Sequence, residues 1–381
     1  MTDNSRMPTK VNVKTGPAAA EYDVEIAAGA LLQLGEWASR LLGPMARTIC
    51  VVTNGTILGL YGRTVDIVLR REGFRPHFHV IEDGEQAKSF ASLERLLAAT
   101  GELRLGRTDA VMALGGGVAG DLAGFAASIH LRGVAFLQVP TTLLSMIDSS
   151  VGGKTGINTE FGKNLVGSFY QPRGVLIDPM VLGTLPEREL TAGFCEAVKH
   201  GALSGRKLLR SAAGLLGSRT GFEPSEFEVF LAEQIRFKAS IVAGDEREAV
   251  GKTSARSRKI LNFGHTFAHA LEKTTGYRYL KHGEAVGWGI LFAAELSKKL
   301  ELLTADEVKS LNDVVHRAGT LPSIGHIDPS EILEAFRHDK KMIGDSLQWV
   351  LLRGIGKPVI VPGKEIPASL IRSTVKKFTR T

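Results

Sequence analysis

The chain has 381 residues, of which 44% are hydrophobic and 23% are charged, with a formal net charge of +7 at pH 7. This balance excludes a disordered or fibrous protein, and the length indicates two domains. Lysine and arginine are spread along the sequence without a dense basic run between aromatic residues. The charge therefore does not indicate nucleic-acid binding, and it suits an anionic small substrate.

The ends and apolar runs of the chain give no membrane signal. Runs such as 134–137 and 290–294 are far shorter than the roughly 20 residues that cross a bilayer, so no membrane partner is expected. Residues 1–10 lack the apolar stretch of a secretory signal, and the expected location is the cytoplasm. Cys50 and Cys195 lack the spacing of a redox or zinc motif, so both are predicted to be reduced, and Cys195 to be a small buried hydrophobe.

In the first half of the chain, β-rich runs alternate with helical stretches. Strands are predicted at 48–53, 77–81, 110–114, 135–139 and 175–177, and a helix at 92–103. This alternation predicts a parallel α/β sheet covered by helices.

Helical periodicity takes over after Pro179. Helices are predicted at 187–200, 225–243, 262–273, 285–300 and 305–318, and a short strand or buried segment at 347–353. We therefore expect a Rossmann-like α/β domain over residues 1–180 and a mainly α-helical domain over residues 181–381.

A glycine-rich turn follows the predicted strand 110–114 and precedes a helical run. Its sequence is Gly115-Gly116-Gly117-Val118-Ala119-Gly120-Asp121. Such a turn lets the backbone approach a pyrophosphate, whose charge is favoured by the N–H groups that begin the helix. No acidic residue follows about 20 positions later to bind a ribose hydroxyl. The motif predicts a nucleotide site of unusual topology, and a purely structural turn is the alternative.

The segment 140–158 is poor core material that follows a predicted strand. It combines hydroxyl groups, Asp148, two adjacent glycines and Lys154 within a short stretch, which is typical of a polar ligand site. Lys163 and Asn164 add a second cation and an amide. A solvated loop is the alternative.

Three histidines indicate a metal site in the helical half. His265 and His269 are four residues apart, hence on one helix face, and His282 follows. Such a group suits a divalent metal with one carboxylate ligand, whereas the helix lacks the glutamate of a metalloprotease. Glu196 is the preferred carboxylate because Lys199 lies one turn later, although such pairs are usually surface ion pairs.

Taken together, these stretches resemble the 3-dehydroquinate synthase family of sugar-phosphate cyclases over about residues 22–360. The motifs that carry the resemblance are the glycine turn, 140–158, Gly162-Lys163-Asn164, Glu196 with Lys199, 262–272, His282-Gly283-Glu284 and Asp339-Lys340-Lys341.

The resemblance implies an enzyme that uses NAD and a zinc or cobalt ion. The implied metal ligands are Glu196, His265 and His282. The residues implied to bind the substrate are Arg132, Lys154, Asn164, Lys199, Lys238, Arg258, Asn262, His269 and Lys340. The residues implied to line the NAD site are Asn54, Glu85, Lys88, Gly115, Gly116, Gly117, Val118, Asp121, Thr141, Thr142, Asp148, Ser149, Lys154 and Lys163.

The implied carbon–oxygen lyase converts 3-deoxy-D-arabino-heptulosonate 7-phosphate into 3-dehydroquinate and phosphate, in the shikimate pathway of aromatic amino-acid biosynthesis. It does so by transient oxidation, phosphate elimination, re-reduction and aldol closure, and the implied assembly is a homodimer. Two alternatives remain open: a sister cyclase that acts on another sugar phosphate, and a metal-dependent polyol dehydrogenase that releases its reduced cofactor.

The sequence departs from the family pattern at three places. Asn54 stands where the family usually has an Asp, which removes the negative charge that would repel the 2′-phosphate of NADP. The sequence therefore leaves the preference for NAD over NADP open. His130 replaces a common Tyr. A longer basic stretch, 249–259, replaces a short glycine turn, and it separates the anchors Asp245 and Asn262 from which Lys238 and Arg258 are assigned.

Overall fold

The computed structural model describes residues 9–13, 21–216, 223–337, 342–343 and 346–380. These residues form two compact units. The first unit comprises the described residues up to Leu185 together with Glu223–Ala239, and the second comprises those of 186–222 and those from Ser240 onward. The predicted helical domain began at residue 181, whereas the packing of the helical stretch Glu223–Ala239 assigns that stretch to the first unit.

The strands and helices are numbered in chain order. The strands are β1 Thr9–Val13, β2 Tyr22–Ile26, β3 Thr48–Asn54, β4 Arg75–Ile81, β5 Ala110–Gly115, β6 Ala135–Pro140, β7 Lys154–Thr159, β8 Gly162–Phe169, β9 Gly174–Ile177, β10 Met342–Ile343, β11 Ser346–Leu352 and β12 Pro358–Pro362. The α-helices are α1 Leu34–Leu42, α2 Gly55–Ile57, α3 Arg63–Arg71, α4 Phe90–Glu102, α5 Gly117–Ile129, α6 Glu187–Ser204, α7 Arg206–Leu215, α8 Pro224–Gly244, α9 His265–Thr274, α10 His282–Lys299, α11 Ala305–Ala318, α12 Pro329–Arg337 and α13 Ala368–Phe378.

A seven-stranded sheet organises the first unit, in the order β1-β2-β9-β6-β5-β3-β4. Its strands are parallel except for β1, which pairs antiparallel with β2 at one edge. Strand β5 is buried at every position, as expected for a central parallel strand covered on both faces. The five predicted strands correspond to β3, β4, β5, β6 and β9, so the predicted α/β fold class is confirmed.

The β7–β8 hairpin was not predicted, because its sequence has few apolar residues and many glycines. A Cβ atom on Gly167 would lie 2.0 Å from the backbone oxygen of Thr155, and one on Gly156 would lie 2.6 Å from the oxygen of Val166. The two glycines therefore allow the strands to pair closely. Much of β8 is exposed, which explains the lack of an apolar pattern.

The second unit is mainly helical, with the three-stranded sheet β10-β11-β12. Helix α10 is buried along most of its length and packs against α6, α9, α11 and α13. Phe267 of α9 stacks on Phe292 of α10 with ring centroids 4.2 Å apart. The predicted helical character of this half is confirmed.

Both cysteines lie in hydrophobic cores and are not paired in a disulfide. Burial raises the pKa of the Cys50 thiol to about 12, so this side chain remains protonated. Cys195 is fully buried, and its prediction as a small core residue is confirmed. No helix among the described residues is long and apolar enough to span a bilayer.

Candidate nucleotide and metal sites

The glycine turn lies between β5 and α5, with Gly116 as the N-cap of the helix. A Cβ atom on Gly116 would lie 3.2 Å from Thr142 Cγ2, and one on Gly117 would lie 3.1 Å from Ser149 Oγ. A side chain at either position would crowd Thr142 or Ser149, and the backbone of the turn forms a cradle against these two residues. Since helix N-termini favour anions, the cradle fits a pyrophosphate.

Thr141 lies beside the glycine turn, because its backbone N–H donates to Gly115 O at 3.0 Å. Its side-chain hydroxyl is buried and has no hydrogen-bond partner among the described residues. A buried polar atom without a partner is costly, so it indicates that a ligand completes its bonding. The structure therefore brings together the predicted residues Gly115, Gly116, Gly117, Thr141, Thr142 and Ser149.

Lys88 is the centre of a second cluster and is 4% exposed. Its ammonium group lies 2.6 Å from Asp121 Oδ2 and 3.4 Å from Glu85 Oε1, and it donates to Asn164 Oδ1. Burial alone would lower the pKa of Lys88, but Asp121 and Glu85 outweigh burial and hold its pKa above the ordinary value. The side chain remains a buried cation at neutral pH.

Asn158 connects this cluster and was not among the predicted site residues. Its amide nitrogen donates to Glu85 Oε1 at 2.9 Å, and its oxygen accepts from the backbone N–H of Asn164 at 2.9 Å. The backbone N–H of Asn158 donates to Lys88 O at 2.8 Å. Together with Glu85 and Lys88 it lines a cleft of about 400 Å³. Its position at the end of the segment 140–158 was the signal in the sequence.

Lys238 of α8 lies against Asp148, which belongs to a π-helical turn, Ser145–Ser149. The lysine nitrogen is 2.5 Å from Asp148 Oδ1 and donates to the backbone oxygen of the same residue at 2.6 Å. A predicted substrate residue and a predicted cofactor residue are therefore paired. Single π-turns often occur at functional sites.

The remaining predicted residues of the first unit are more exposed. Lys154 begins β7 with an exposed side chain, and Lys163 is half-buried in β8 beside Asn164, whose φ is 54°. Arg132 is exposed and has a left-handed backbone with φ 66°. Among the described residues of this unit, no hydrogen bond or ion pair joins Arg132 to another predicted site residue. Val118 is half-buried in the first turn of α5.

The departure at His130 has a structural role. One ring nitrogen lies 3.2 Å from Thr100 Oγ1 and the other 3.0 Å from Leu105 O. The imidazole therefore ties the end of α5 to the loop after α4.

In the second unit, Glu196, His265 and His282 each offer a ligand atom, and these atoms lie within 4.8 Å of one another. Glu196 lies in the middle of α6, and the two histidines begin α9 and α10. Glycines allow the close helix packing that this needs. A Cβ atom on Gly283 would lie 2.0 Å from Ala192 O, and one on Gly289 would lie 2.0 Å from Gly264 O.

The hydrogen bonds of the two histidines fix their tautomers. His265 Nδ1 lies 3.2 Å from Phe263 O, and His282 Nδ1 lies 3.3 Å from Glu272 Oε1. Carbonyl oxygens and carboxylates only accept, so both Nδ1 atoms carry the proton in the neutral rings. Each Nε2 then presents a lone pair on the side of Glu196, as in metal sites whose histidines are oriented by outer-shell acceptors.

The surroundings of the Glu196 carboxylate show whether a metal ion fits this site. It is fully buried, and neither oxygen has a hydrogen bond of good geometry among the described residues. The Nε2 atoms of His265 and His282 lie 3.8 and 3.5 Å from Glu196 Oε1. Two lone pairs facing a buried carboxylate at these distances would repel it without a cation between them. The donor set therefore fits zinc or a similar divalent ion.

Lys199 lies beside this group, with its nitrogen 2.5 Å from Glu196 Oε2. The two side chains are 2% and 0% exposed, so the reading as a surface ion pair is wrong. His269 is half-buried, and its ring centroid is 5.6 Å from that of His265. His269 is adjacent to the ligand trio without belonging to it, as the resemblance implied. Lys340 lies outside the described residues.

The loop that contains the basic insertion brings Arg258 next to Asp245. The Asp245 carboxylate accepts from the backbone N–H groups of Ala249 and Arg258 at 2.9 and 2.8 Å, and from Ser257 Oγ at 3.0 Å. Asp245 therefore closes the loop that contains the insertion. Arg258 is 3% exposed and donates to Glu246 O at 2.6 Å, while Asn262 donates to Glu248 Oε1 at 3.3 Å.

Asp245 should stabilise this loop only while it is ionised. Burial alone would raise its pKa, but the hydrogen bonds from Ala249, Arg258 and Ser257 hold the pKa below its usual value. A lowered folded pKa gives stability that is complete above the unfolded value of about 3.9 and is lost as pH falls through the folded pKa. We expect Asp245→Asn to cost about 1–3 kcal/mol of unfolding free energy at pH 7, measured by urea denaturation.

The difference between wild type and Asp245→Asn should shrink as the pH falls below about 4. Asp313→Asn, at an exposed position of α11, is the matched control and should have little effect at either pH. A difference that is unchanged at low pH would contradict the assignment of the Asp245 charge.

Glu272 should increase metal affinity through His282, although it is not a predicted ligand. It is 2% exposed and accepts from His282 Nδ1. Glu272→Ala is expected to weaken zinc binding by about 10- to 100-fold, measured by competition with a chromogenic chelator. Glu272→Gln retains an acceptor and should lose less. Equal zinc affinity of wild type and the alanine variant would argue against this role.

Comparisons with known proteins identify the family of this chain. Residues 78–192 match the family model for the N-terminal part of 3-dehydroquinate synthase, and residues 193–342 match that for the C-terminal part. The 3-dehydroquinate synthase of Picosynechococcus sp. is 40% identical over 92% of this chain and 94% of its own. That of Bordetella pertussis is 40% identical over 88% and 91%.

Several solved structures have a fold similar to that of this chain. A 2-deoxy-scyllo-inosose synthase in complex with carbaglucose-6-phosphate, NAD+ and Co2+ has a TM-score of 0.84 at 25% identity, over 97% of this chain and 100% of that one. The 2-epi-5-epi-valiolone synthase of Streptomyces hygroscopicus, with NAD+ and Zn2+, has a TM-score of 0.83 at 26% identity, over 95% and 98%. Glycerol dehydrogenase from Schizosaccharomyces pombe, at 18% identity over 96% and 89% with a TM-score of 0.63, shares the fold alone. The predicted family is thus confirmed, and the chain belongs to the 3-dehydroquinate synthase family.

Proposed function

We propose that this enzyme converts 3-deoxy-D-arabino-heptulosonate 7-phosphate into 3-dehydroquinate and phosphate. The observation that carries the proposal is the group of Glu196, His265 and His282, with the buried Lys199 beside it. A metal-ligating trio next to a buried cation suits a polyhydroxylated anionic substrate. Relatives of about 40% identity named 3-dehydroquinate synthase support this substrate.

We assign NAD to the first unit and the metal to the second. Solved structures of similar fold that contain NAD+ with Co2+ or Zn2+ support both cofactors. When bound, NAD supplies the transient oxidation of one substrate hydroxyl and its re-reduction. A divalent ion at Glu196, His265 and His282 lowers the cost of negative charge on a hydroxyl oxygen.

The chain's own residues bind and orient the substrate. Lys199 offsets the Glu196 charge and keeps an ammonium donor beside the trio. His269 supplies a further donor near it, and the family resemblance implies the same role for Arg258. Charge-assisted hydrogen bonds to phosphate and carboxylate groups are the strong kind. For Lys154 and Asn164 of the first unit, the family resemblance implies a role as donors to anionic groups of the substrate. Holding the leaving phosphate near the acidified C–H would let that phosphate accept the proton, so no dedicated base is needed.

The sister cyclases are the second candidate, since their structures have the two highest TM-scores cited above. Their identity to this chain is 25–26%, compared with 40% for the relatives named 3-dehydroquinate synthase. This difference favours the dehydroquinate reaction. The polyol dehydrogenases share only the fold.

A single assay distinguishes the three functions. The protein is incubated with 3-deoxy-D-arabino-heptulosonate 7-phosphate, NAD and zinc or cobalt, while phosphate release, NADH absorbance and the organic product are followed. Stoichiometric phosphate and 3-dehydroquinate without lasting NADH are expected. No phosphate from protein that holds NAD and metal would favour a sister cyclase, and NADH accumulation without phosphate would favour a dehydrogenase.

We also propose that the chain is a cytoplasmic homodimer, as the family resemblance implies. Exposed apolar side chains on the β7–β8 hairpin support a partner surface: Phe161, Leu165 and Phe169 are 84%, 47% and 43% exposed. Sedimentation at several protein concentrations tests the dimer. A monomer throughout would contradict it.

A further inference from the structure

We propose that Asp83 makes the nucleotide site of the first unit select NAD over NADP. This inference rests on the proposed function, because it concerns the cofactor that the function requires. In dinucleotide-binding folds, an acidic residue beyond the strand next to the glycine turn binds the ribose 2′-hydroxyl, whereas a nearby arginine accommodates a 2′-phosphate. The residues after the glycine turn offer no such acid at the usual spacing.

The topology locates the equivalent position on an earlier strand. Strand β3 is the parallel neighbour of β5, with Val52 opposite Ala113. Continuing this register by two residues puts Asn54 level with Gly115, the first residue of the turn. Adjacent strands are about 4.8 Å apart. The end of β3 therefore lies where an adenosine ribose would be bound, but its last residue is an uncharged amide.

Asp83 supplies the missing charge at this position. It follows β4, the other neighbour of β3. Asn54 donates from its side-chain nitrogen to Asp83 Oδ1, and Thr56 Oγ1 donates to Asp83 Oδ2 at 3.3 Å. The Asn54 oxygen accepts from the backbone N–H of Ile57 at 2.8 Å, which fixes the orientation of the amide. Both carboxylate oxygens of Asp83 are thus held at the end of β3.

The charges around Asp83 suit the uncharged 2′-hydroxyl of a ribose and disfavour a 2′-phosphate. Residues 54–62 and 82–87 contain three carboxylates, on Glu82, Asp83 and Glu85, and no lysine or arginine. Beyond these two segments, Arg63 begins α3 with an exposed side chain, and Lys88 is buried and bound to Asp121 and Glu85. A 2′-phosphate at the end of β3 would therefore be repelled by the Asp83 carboxylate.

Direct binding tests the inference without turnover. Dissociation constants for NAD and NADP are measured by calorimetry on the metal-loaded full chain. Asp83→Asn keeps the shape and an acceptor for Asn54, and it is expected to improve NADP affinity relative to NAD by about tenfold or more, because a charge next to the 2′-phosphate is lost. The double variant Asn54→Asp/Asp83→Asn returns the charge to the end of β3 and should restore the preference for NAD.

Glu82→Gln is the matched control, since it removes the same charge one residue earlier on an exposed side chain, and it should leave the ratio nearly unchanged. An unchanged ratio in Asp83→Asn, or an equal shift in Glu82→Gln, would overturn the inference while NAD binding and the proposed function stand. If the unaltered protein binds no NAD, the proposed function fails and the inference fails with it.

Discussion

Replacing His265 with alanine should abolish tight binding of zinc or cobalt and reduce phosphate release by more than about a hundredfold. Loss of an outer-shell partner already costs about 10- to 100-fold in metal affinity or activity, so loss of a direct ligand should cost more. The effect is expected to be chemical rather than structural, because His265 begins α9 and its Nδ1 contacts Phe263 O two residues earlier in the chain. Metal content after dialysis, chelator competition and the initial rate are the measurements.

His316→Ala is the control for His265→Ala, because His316 is exposed on α11 of the same unit. It should retain metal and activity, and both variants should keep the far-ultraviolet circular dichroism of the wild type. Wild-type zinc affinity in His265→Ala would remove the metal assignment. Full activity of thoroughly chelated wild type would do so independently.

Replacing Lys88 with methionine should destabilise the first unit by about 3–5 kcal/mol and prevent NAD binding. The substitution leaves Asp121 and Glu85 without their buried cation, and breaking one partner of a buried ion pair has a cost of this size. Urea denaturation and NAD calorimetry measure the two effects separately.

The double variant Lys88→Met/Asp121→Asn separates stability from binding. Removing the uncompensated Asp121 charge should recover part of the lost stability, because the remaining pair is neutral. NAD affinity should remain low, since two residues assigned to the nucleotide site are altered. Recovery of NAD affinity together with stability would show that Lys88 acts only on the fold.

Sequence patterns predicted the sheet well because its central strands are buried on both faces. Continuous apolar runs such as 110–114 leave little choice of structure. The β7–β8 hairpin gave no such signal, because its pairing depends on glycines and its outer face is exposed. Helix α10 was predicted to begin at residue 285, whereas it begins at His282. The predicted metal ligand His282 therefore lies in the first turn of this helix.

The sequence predicted which residues form the polar sites. The arrangement of these residues depends on tertiary contacts, which the sequence does not show. Spacing alone left open whether Glu196 is a metal ligand or part of a surface ion pair with Lys199, and only the packed structure shows that both side chains are buried. The roles of Asn158 and Asp83 depend on contacts between segments that are distant in sequence. No local pattern contains that information.

The glycines that bring α10 close to α6 and to the start of α9 also link metal binding to folding. Gly283, Gly287 and Gly289 lie within α10, and each interior glycine costs a helix about 1 kcal/mol relative to alanine. Such a segment has little tendency to be helical on its own, so His282 approaches Glu196 only when the helices are packed. The unfolded chain then has no preformed site, and the ion binds the native state alone. Free zinc at 100 times its dissociation constant would raise the unfolding free energy by about 2.7 kcal/mol. The stability of this enzyme should therefore depend on the concentration of free metal ion around it.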